Sequence, residues 1–383
     1  MTSRFPLGKV TTAHLQKLTE VLWSWYICTD CLAGKPCNSA DCLWSRSIVL
    51  GPYFEFFKIS TCNYTSNIAS NQTPALVSYE ELFKIMRELK SNPELPKADL
   101  LEKLFTDRPT RVDQERALNL AVRVVMMISC SASRQSSVLL EYGNQQARWD
   151  KNDTFSQFLN DAFPKVVHPS IDEIKKNLQA TKLKKHARLN FRPTDDLRNH
   201  LRLDRNAGTV EIFHHTAFLK EQLRLTKEQP QNLSISDLIK IGALPRPLVI
   251  DVLDSIQEVL FPLAETKSRE LLISLTSTYN FDGDILRYDG VSVRKPNEIA
   301  QYQYFGKRLA DLYNELLNPT PRGFERWFER KSSARFMMMV TLSGVVLAIF
   351  LGLLSLALGG FQAYVGYMAW KNPVQISSGS QKN

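Results

Sequence analysis

The sequence lacks the marks of the well-signed enzyme classes. It has no G-x-x-x-x-G-K-S/T loop, no G-x-S-x-G elbow, no H-E-x-x-H pair and no kinase set, so P-loop hydrolysis, serine-hydrolase, zincin and kinase chemistry have no foothold. Histidine is scarce, with 6 in 383 residues. Residues 1–17 hold no sustained apolar stretch, so no secretory leader is legible there. No repeat of fixed period runs along the chain, which excludes a readable solenoid or propeller. Most telling, no Asp, Glu, Lys or Arg occurs from Phe336 to Trp370.

That uncharged run fixes an address. Its densest part, Phe336 to Leu358, makes a helix roughly 35 Å long, longer than the roughly 30 Å hydrocarbon core of a bilayer. The run is too short for two crossings and a turn, so the expectation is one transmembrane helix over residues 336–370. Gly359 and Gly360 are expected to end or kink its best-packed part, and Phe361, Tyr364, Tyr367 and Trp370 suit the headgroup region. Arg322, Arg326, Arg330, Lys331 and Arg335 precede the run, whereas Lys371 and Lys382 follow it. Positive charge stays on the cytoplasmic side, so the expectation is a tail-anchored, single-pass membrane protein with a cytosolic N-terminal region. The same five residues are candidates for contact with anionic lipid. Gly344, Ala348 and Gly352 recur at helical spacing, a face through which two copies could pack as a homo-oligomer.

The preceding residues have a globular composition, 44% hydrophobic and 23% charged, which excludes wholesale disorder. The formal net charge is +9. A second basic cluster, Lys175, Lys176, Lys182, Lys184, Lys185, Arg188 and Arg192, contains no intervening acid. It suits phosphate-bearing surfaces, or is simply a solvated face. Only Phe191 accompanies it, which weighs against a stacking platform for nucleic acid.

Four of the cysteines crowd together as Cys28, Cys31, Cys37 and Cys42, spaced C-x2-C-x5-C-x4-C. Four thiolates can close a tetrahedral zinc site, and C-x2-C is a common half-knuckle. The middle spacer is shorter than in common zinc ribbons, with Gly34, Lys35 and Pro36 available for a tight turn. On a reducing face structural zinc or unligated thiols are the alternatives; with inverted topology the same residues form two disulfides. Sequons at Asn63, Asn71, Asn152 and Asn232 would then matter.

Apolar periodicity divides the chain into 1–75 (mixed, with the cysteines), 76–230 (helical with short strands), 231–320 (a second helical part), 321–335 (basic), 336–370 (the span) and 371–383 (a polar tail). Helices are expected near Thr11–Trp25, from a Ser78/Glu81 capping box to Lys90, at Lys97–Phe105, Asp113–Cys130, Phe155–Phe163, Ile171–Leu183, Asp195–Leu203, His215–Leu225, Lys267–Thr278 and Asn297–Leu317. Ser234–Leu263 reads as helix, turn, helix, with Gly242 ending the first. Strands are expected at Ile48–Ile59 and Thr209–Phe213. The fold class is therefore mainly α with a few short strands, as winged-helix-like or small helical-bundle subdomains, plus the C-terminal span.

Chemistry is sparse. On a helix, Asp196 and His200 would share a face and, with His214, could form an acid–base or metal set. Dipole-stabilising acids and ordinary core histidines explain the same residues. Asp282, Gly283 and Asp284, with Asp289 and Gly290, start like a calcium loop but lack its later ligands. Arg246, Asp251, Asp254 and Glu258 give the second helix of the 234–263 unit an acidic face, which disfavours DNA reading.

Three stretches carry a resemblance: Ala117-Leu-Asn-Leu-Ala-Val-Arg-Val, Ile212-Phe-His-His-Thr-Ala-Phe-Leu-Lys-Glu-Gln-Leu-Arg-Leu-Thr226, and the tail from Arg326-Trp-Phe-Glu-Arg-Lys to Ala369-Trp-Lys. Over about residues 78–373 the chain resembles a large group of uncharacterised proteins from filamentous fungi with the same basic-then-apolar tail. The resemblance implies a helical region on one anchor. It carries over no catalytic residue and does not extend to the cysteine cluster. The expected activity is that of a non-enzymatic interaction or scaffold protein, with the bilayer and a protein as partners and nucleic acid disfavoured. The alternatives are an enzyme using Asp196, His200 and His214, and a tethered nucleic-acid binder using Lys175–Arg192.

Overall fold

A computed structural model describes residues 7–64, 74–106, 111–131, 147–166, 168–169, 171–230, 233–287, 293–295, 298–321 and 333–371. The chain is mainly α, with a few short strands and one long C-terminal apolar helix. It divides into two units, Met1–Thr320 and Pro321–Asn383.

The first unit opens with α1 (Thr12–Trp23), whose cap is reciprocal: Thr11 Oγ1 accepts from the His14 N–H, and His14 Nδ1 accepts from the Thr11 N–H. A short α2 (Thr29–Leu32) follows, then α3 (Gly51–Cys62). The aromatic run there reads as a strand but folds as a helix. Pro52 sits in its first turn, where a missing N–H costs nothing, and Tyr53, Phe56, Phe57 and Ser60 line one buried stripe. Ser78 caps α4 (Tyr79–Ser91) as the sequence predicts. Its buried Leu82, Phe83, Met86 and Leu89 recur at helical spacing and face α1 and α6 (Arg111–Met126), with α5 (Lys97–Leu104) beside them. Each such side chain contributes roughly 2 kcal/mol by leaving water.

The middle of the unit adds β1 (Cys130–Ser131), β2 (Ala147–Arg148), α7 (Phe155–Ala162), α8 (Ile171–Asn177) and α9 (Ala180–His186). A three-stranded sheet follows: β3 (Asn190–Thr194), β4 (Arg202–Asp204) and β5 (Thr209–Phe213), with β5 central, parallel to β3 and antiparallel to β4. The helix expected over Asp195–Leu203 is absent. The Asp196 carboxylate accepts N–H bonds from Arg198 and Ser129, the Leu197 N–H goes to Met127 O, and the Leu201 N–H goes to Glu211 O at φ +59°. The amides a helix needs are spent on neighbours, leaving one 3-10 turn, Leu197–Asn199.

Helices α10 (Thr216–Leu225), α11 (Ile235–Ile241) and α12 (Arg246–Asp254) come next, with a π-helical turn continuing α12 to Leu260. Gly242 ends α11 at φ +80°, and a Cβ there would lie 2.2 Å from Leu22 O, so both conformation and space require glycine. Ser234 caps α11, its side chain accepting from the Asp237 N–H. Then come α13 (Thr266–Tyr279) and α14 (Gly306–Leu317). The helix expected from Asn297 begins only at Gly306. One buried apolar cluster runs from Leu7 to Leu312.

In the second unit, α15 (Ser333–Lys371) runs unbroken through Gly359 and Gly360. Its part Thr341–Lys371, with a mean hydropathy of 2.4 over its most apolar 18 residues, is long and apolar enough to cross a membrane. Neighbouring backbone bonds carry a helix through paired glycines when no polar alternative competes.

Candidate metal centre

The structure brings the four crowded cysteines together. Cys28 is the N-cap of α2 and Cys31 lies within it, so one helical turn aims both thiols the same way. Gly34 then reverses the chain at φ +73°, its N–H donating to Cys31 O at 3.2 Å, and the Lys35 N–H donates to Asp30 O at 2.8 Å. The returning segment presents Cys37 and Cys42. The Sγ atoms of Cys28 and Cys37 are 3.9 Å apart, those of Cys31 and Cys42 are 3.7 Å apart, and all four lie within 4.8 Å of one another. Three of the residues are buried; Cys37 is exposed.

Two contacts secure the loop. The Leu43 N–H donates to Tyr26 O at 3.1 Å, closing its ends, and Gln16 Nε2 reaches from α1 to Cys31 O at 2.9 Å. The Cys28 N–H points at Cys42 Sγ at 3.4 Å. Burial alone raises the Cys42 thiol, but the backbone N–H groups of Cys28 and Trp44, with the thiols of Cys28 and Cys31, reverse this and bring it down to about 7, while burial, then the neighbouring thiols, pushes Cys31 up. Donors aimed at sulfur stabilise thiolate. Gln16 and the Tyr26–Leu43 closure are parts of this site that residue spacing did not reveal. Outside the cluster, Cys62 is exposed, and Cys130 is buried and donates to Asn119 Oδ1.

The other candidate set does not converge. Asp196 turns to Ser129 and Arg198. His200 is buried between Ser255 Oγ, 2.7 Å from its Nε2, and the Phe213 N–H, which donates to its Nδ1. An imidazole whose Nδ1 accepts must carry its proton on Nε2, so His200 donates to Ser255, which passes a bond to Val252 O. Burial, then nearby Arg308, holds His200 well below its usual range. It is a neutral core histidine.

His214 and His215 instead share Oδ1 of Asp195, at 3.3 and 2.8 Å from their Nε2 atoms. These three residues also lie close enough to hold a metal. The tautomer argues against it. The Asp282 N–H donates to His214 Nδ1 at 2.9 Å, so His214 Nε2 bears the proton and has no lone pair for an ion. Burial alone would raise Asp195; the bonds from both imidazoles reverse this and hold it below the usual carboxylate range.

The basic cluster splits. Lys175 lies over the Tyr302 ring and lines a cavity of about 630 Å³ with Asp254 and Glu258. Lys182 donates to Asn177 O. Lys176, Lys184, Lys185, Arg188 and Arg192 are exposed. Arg322, Arg326, Arg330 and Lys331 lie outside the described residues, as do Asp289 and Gly290. Asp282 caps a 3-10 turn and Asp284 pairs with buried Lys220 at 2.7 Å, so those two acids are engaged within the protein. The expected acidic exposed face of α12 is corrected as well: Arg246, Asp251 and Asp254 are buried. Arg246 pairs with Glu298, Asp254 pairs with Arg294, and Asp251 accepts from the N–H groups of Tyr302 and Tyr304.

Comparison with protein-family models, curated proteins and solved structures finds no match to the chain.

Proposed function

We propose that this chain is a single-pass, tail-anchored membrane protein whose helical unit works on the cytosolic face as a non-enzymatic interaction or scaffold module. The supporting observation is the Thr341–Lys371 helix, free of charge up to Lys371 and apolar on every side. Burial in lipid is the environment such a surface fits. The excess of Arg and Lys before the span supports the orientation. Exposed Lys176, Lys184, Lys185 and Arg192 supply a second attraction to anionic headgroups, at about 1 kcal/mol per cation near the surface. Kinship with the filamentous-fungal group belongs to the same proposal. The engagement of His200 and His214 in fixed tautomers favours an interaction role over acid–base chemistry, because neither offers a free ring nitrogen to a substrate.

Alkaline carbonate washing of membranes from cells expressing the full chain tests the anchor. Retention in the pellet is expected; release into the supernatant would end the reading. Glycosylation acceptor tags at either end test orientation. Modification at the C-terminal tag alone is expected, and replacing Arg322, Arg326, Arg330, Lys331 and Arg335 by Glu should reduce or invert it.

A further inference from the structure

We propose that Cys28, Cys31, Cys37 and Cys42 bind one zinc ion as a closed structural centre. The geometry of the sulfurs carries this. At a Zn–S distance of about 2.3 Å, the edge of a tetrahedron of thiolates is about 3.8 Å. Two of the edges, from different cysteine pairs, are 3.9 and 3.7 Å. The remaining sulfurs are also mutual neighbours within 4.8 Å. Two disulfides would make a different pattern, with two pairs at about 2 Å and the cross-distances longer. Here the four atoms surround a common point.

The surroundings agree. Cys28, Cys31 and Cys42 form a small cluster of their own, with partly buried Ile27 and Trp44 packed against it. A bound metal would add to the order of such a loop, because the binding free energy is then folding free energy. The loop approaches its ligands as a metal knuckle does, with a C-x2-C turn, a positive-φ glycine and a backbone N–H directed at a ligand sulfur. Four protein sulfurs leave no open position, which marks a structural rather than a catalytic centre. On binding, the four thiols release their protons and the resulting thiolates donate to the ion, with no change of oxidation state. Through Gln16, the centre fastens residues 26–44 to α1.

The proposal rests on the cysteines facing a reducing compartment, and its test in detergent solution is separate from the tests of the anchor. Full-length protein is purified in mild detergent from zinc-supplemented cells, and its metals are measured by mass spectrometry. About one zinc per chain is expected, falling to near zero in Cys31→Ser and Cys42→Ser and unchanged in Cys62→Ser. Cobalt exchanged into the wild-type protein should give the intense bands of a tetrahedral tetrathiolate. The wild-type measurement decides even if the ligand variants fail to fold. Metal-free wild-type protein whose four thiols react freely with Ellman's reagent would overturn the proposal. So would stoichiometric iron, or peptide masses showing the cysteines paired as disulfides.

Discussion

One carboxylate oxygen, Oδ1 of Asp195, faces the Nε2 atoms of two adjacent imidazoles. Such sharing has a pH signature. Burial, then neighbouring His214, pushes His215 down to about 4, against about 6.5 in an unfolded chain. Between those values the unfolded chain holds the extra proton, so stability from this residue is intact above pH 6.5 and is lost as pH falls toward 4. The full loss is roughly 3 kcal/mol. Burial acts oppositely on Asp251 and Asp282, both raised to about 6, which gain protons in the folded state first and offset part of the loss. A His215→Phe variant isolates the histidine term, since Phe56 and Phe213 already surround the ring. Thermal melts at pH 7 and pH 5 should show a smaller acid-induced drop in the variant than in the wild type; an equal drop would remove His215 from the account.

Residues 298–305 show why an element can be misread from its own letters. Apolar spacing predicts a helix from Asn297, yet buried Asp251 takes the N–H groups of Tyr302 and Tyr304 at 2.8 and 3.0 Å, and Tyr302 sits at φ +52°. A carboxylate remote in sequence outbids the local helix. Arg246 does the same for Glu298, with two bonds at 2.5 and 2.6 Å, while also binding Leu223 O, Thr226 Oγ1 and Val293 O. Removing the countercharge by Glu298→Gln should cost about 2–3 kcal/mol, read as a lower denaturation midpoint; a midpoint within error of the wild type would count against the clamp. Helices fixed by local signals were legible: the Ser78 cap and the Gly242 stop stand where their residues place them, whereas the helix expected to reach Cys130 ends at Met126, before Met127 at φ +53°. Asp195–Leu203 was not, because its amides bond to residues far along the chain. The candidate sites divide the same way. The cysteines declared themselves by proximity, whereas the Asp196–His200 pairing depended on a helix that the Ser129 and Glu211 contacts prevent.

At the scale of the molecule, the buried cluster ends at Leu312 and the first unit at Thr320. A chain cut after Thr320 should therefore keep its core, stay monodisperse without detergent and melt cooperatively; aggregation of that fragment would mean that the core needs the second unit. The apolar helix itself has a dimensional consequence. Its 31 residues from Thr341 to Lys371 reach about 46 Å along the axis, against a hydrocarbon thickness near 30 Å. On the proposed reading of this helix as a span, the surplus, roughly 16 Å, would be absorbed by leaning over or by lifting the aromatic end into the headgroups. Sterol-rich, thicker sheets would reduce that surplus and thin ones enlarge it, so such a rod would measure the lipid around it. Where an anchored chain collected would then be partly a matter of fit between two lengths.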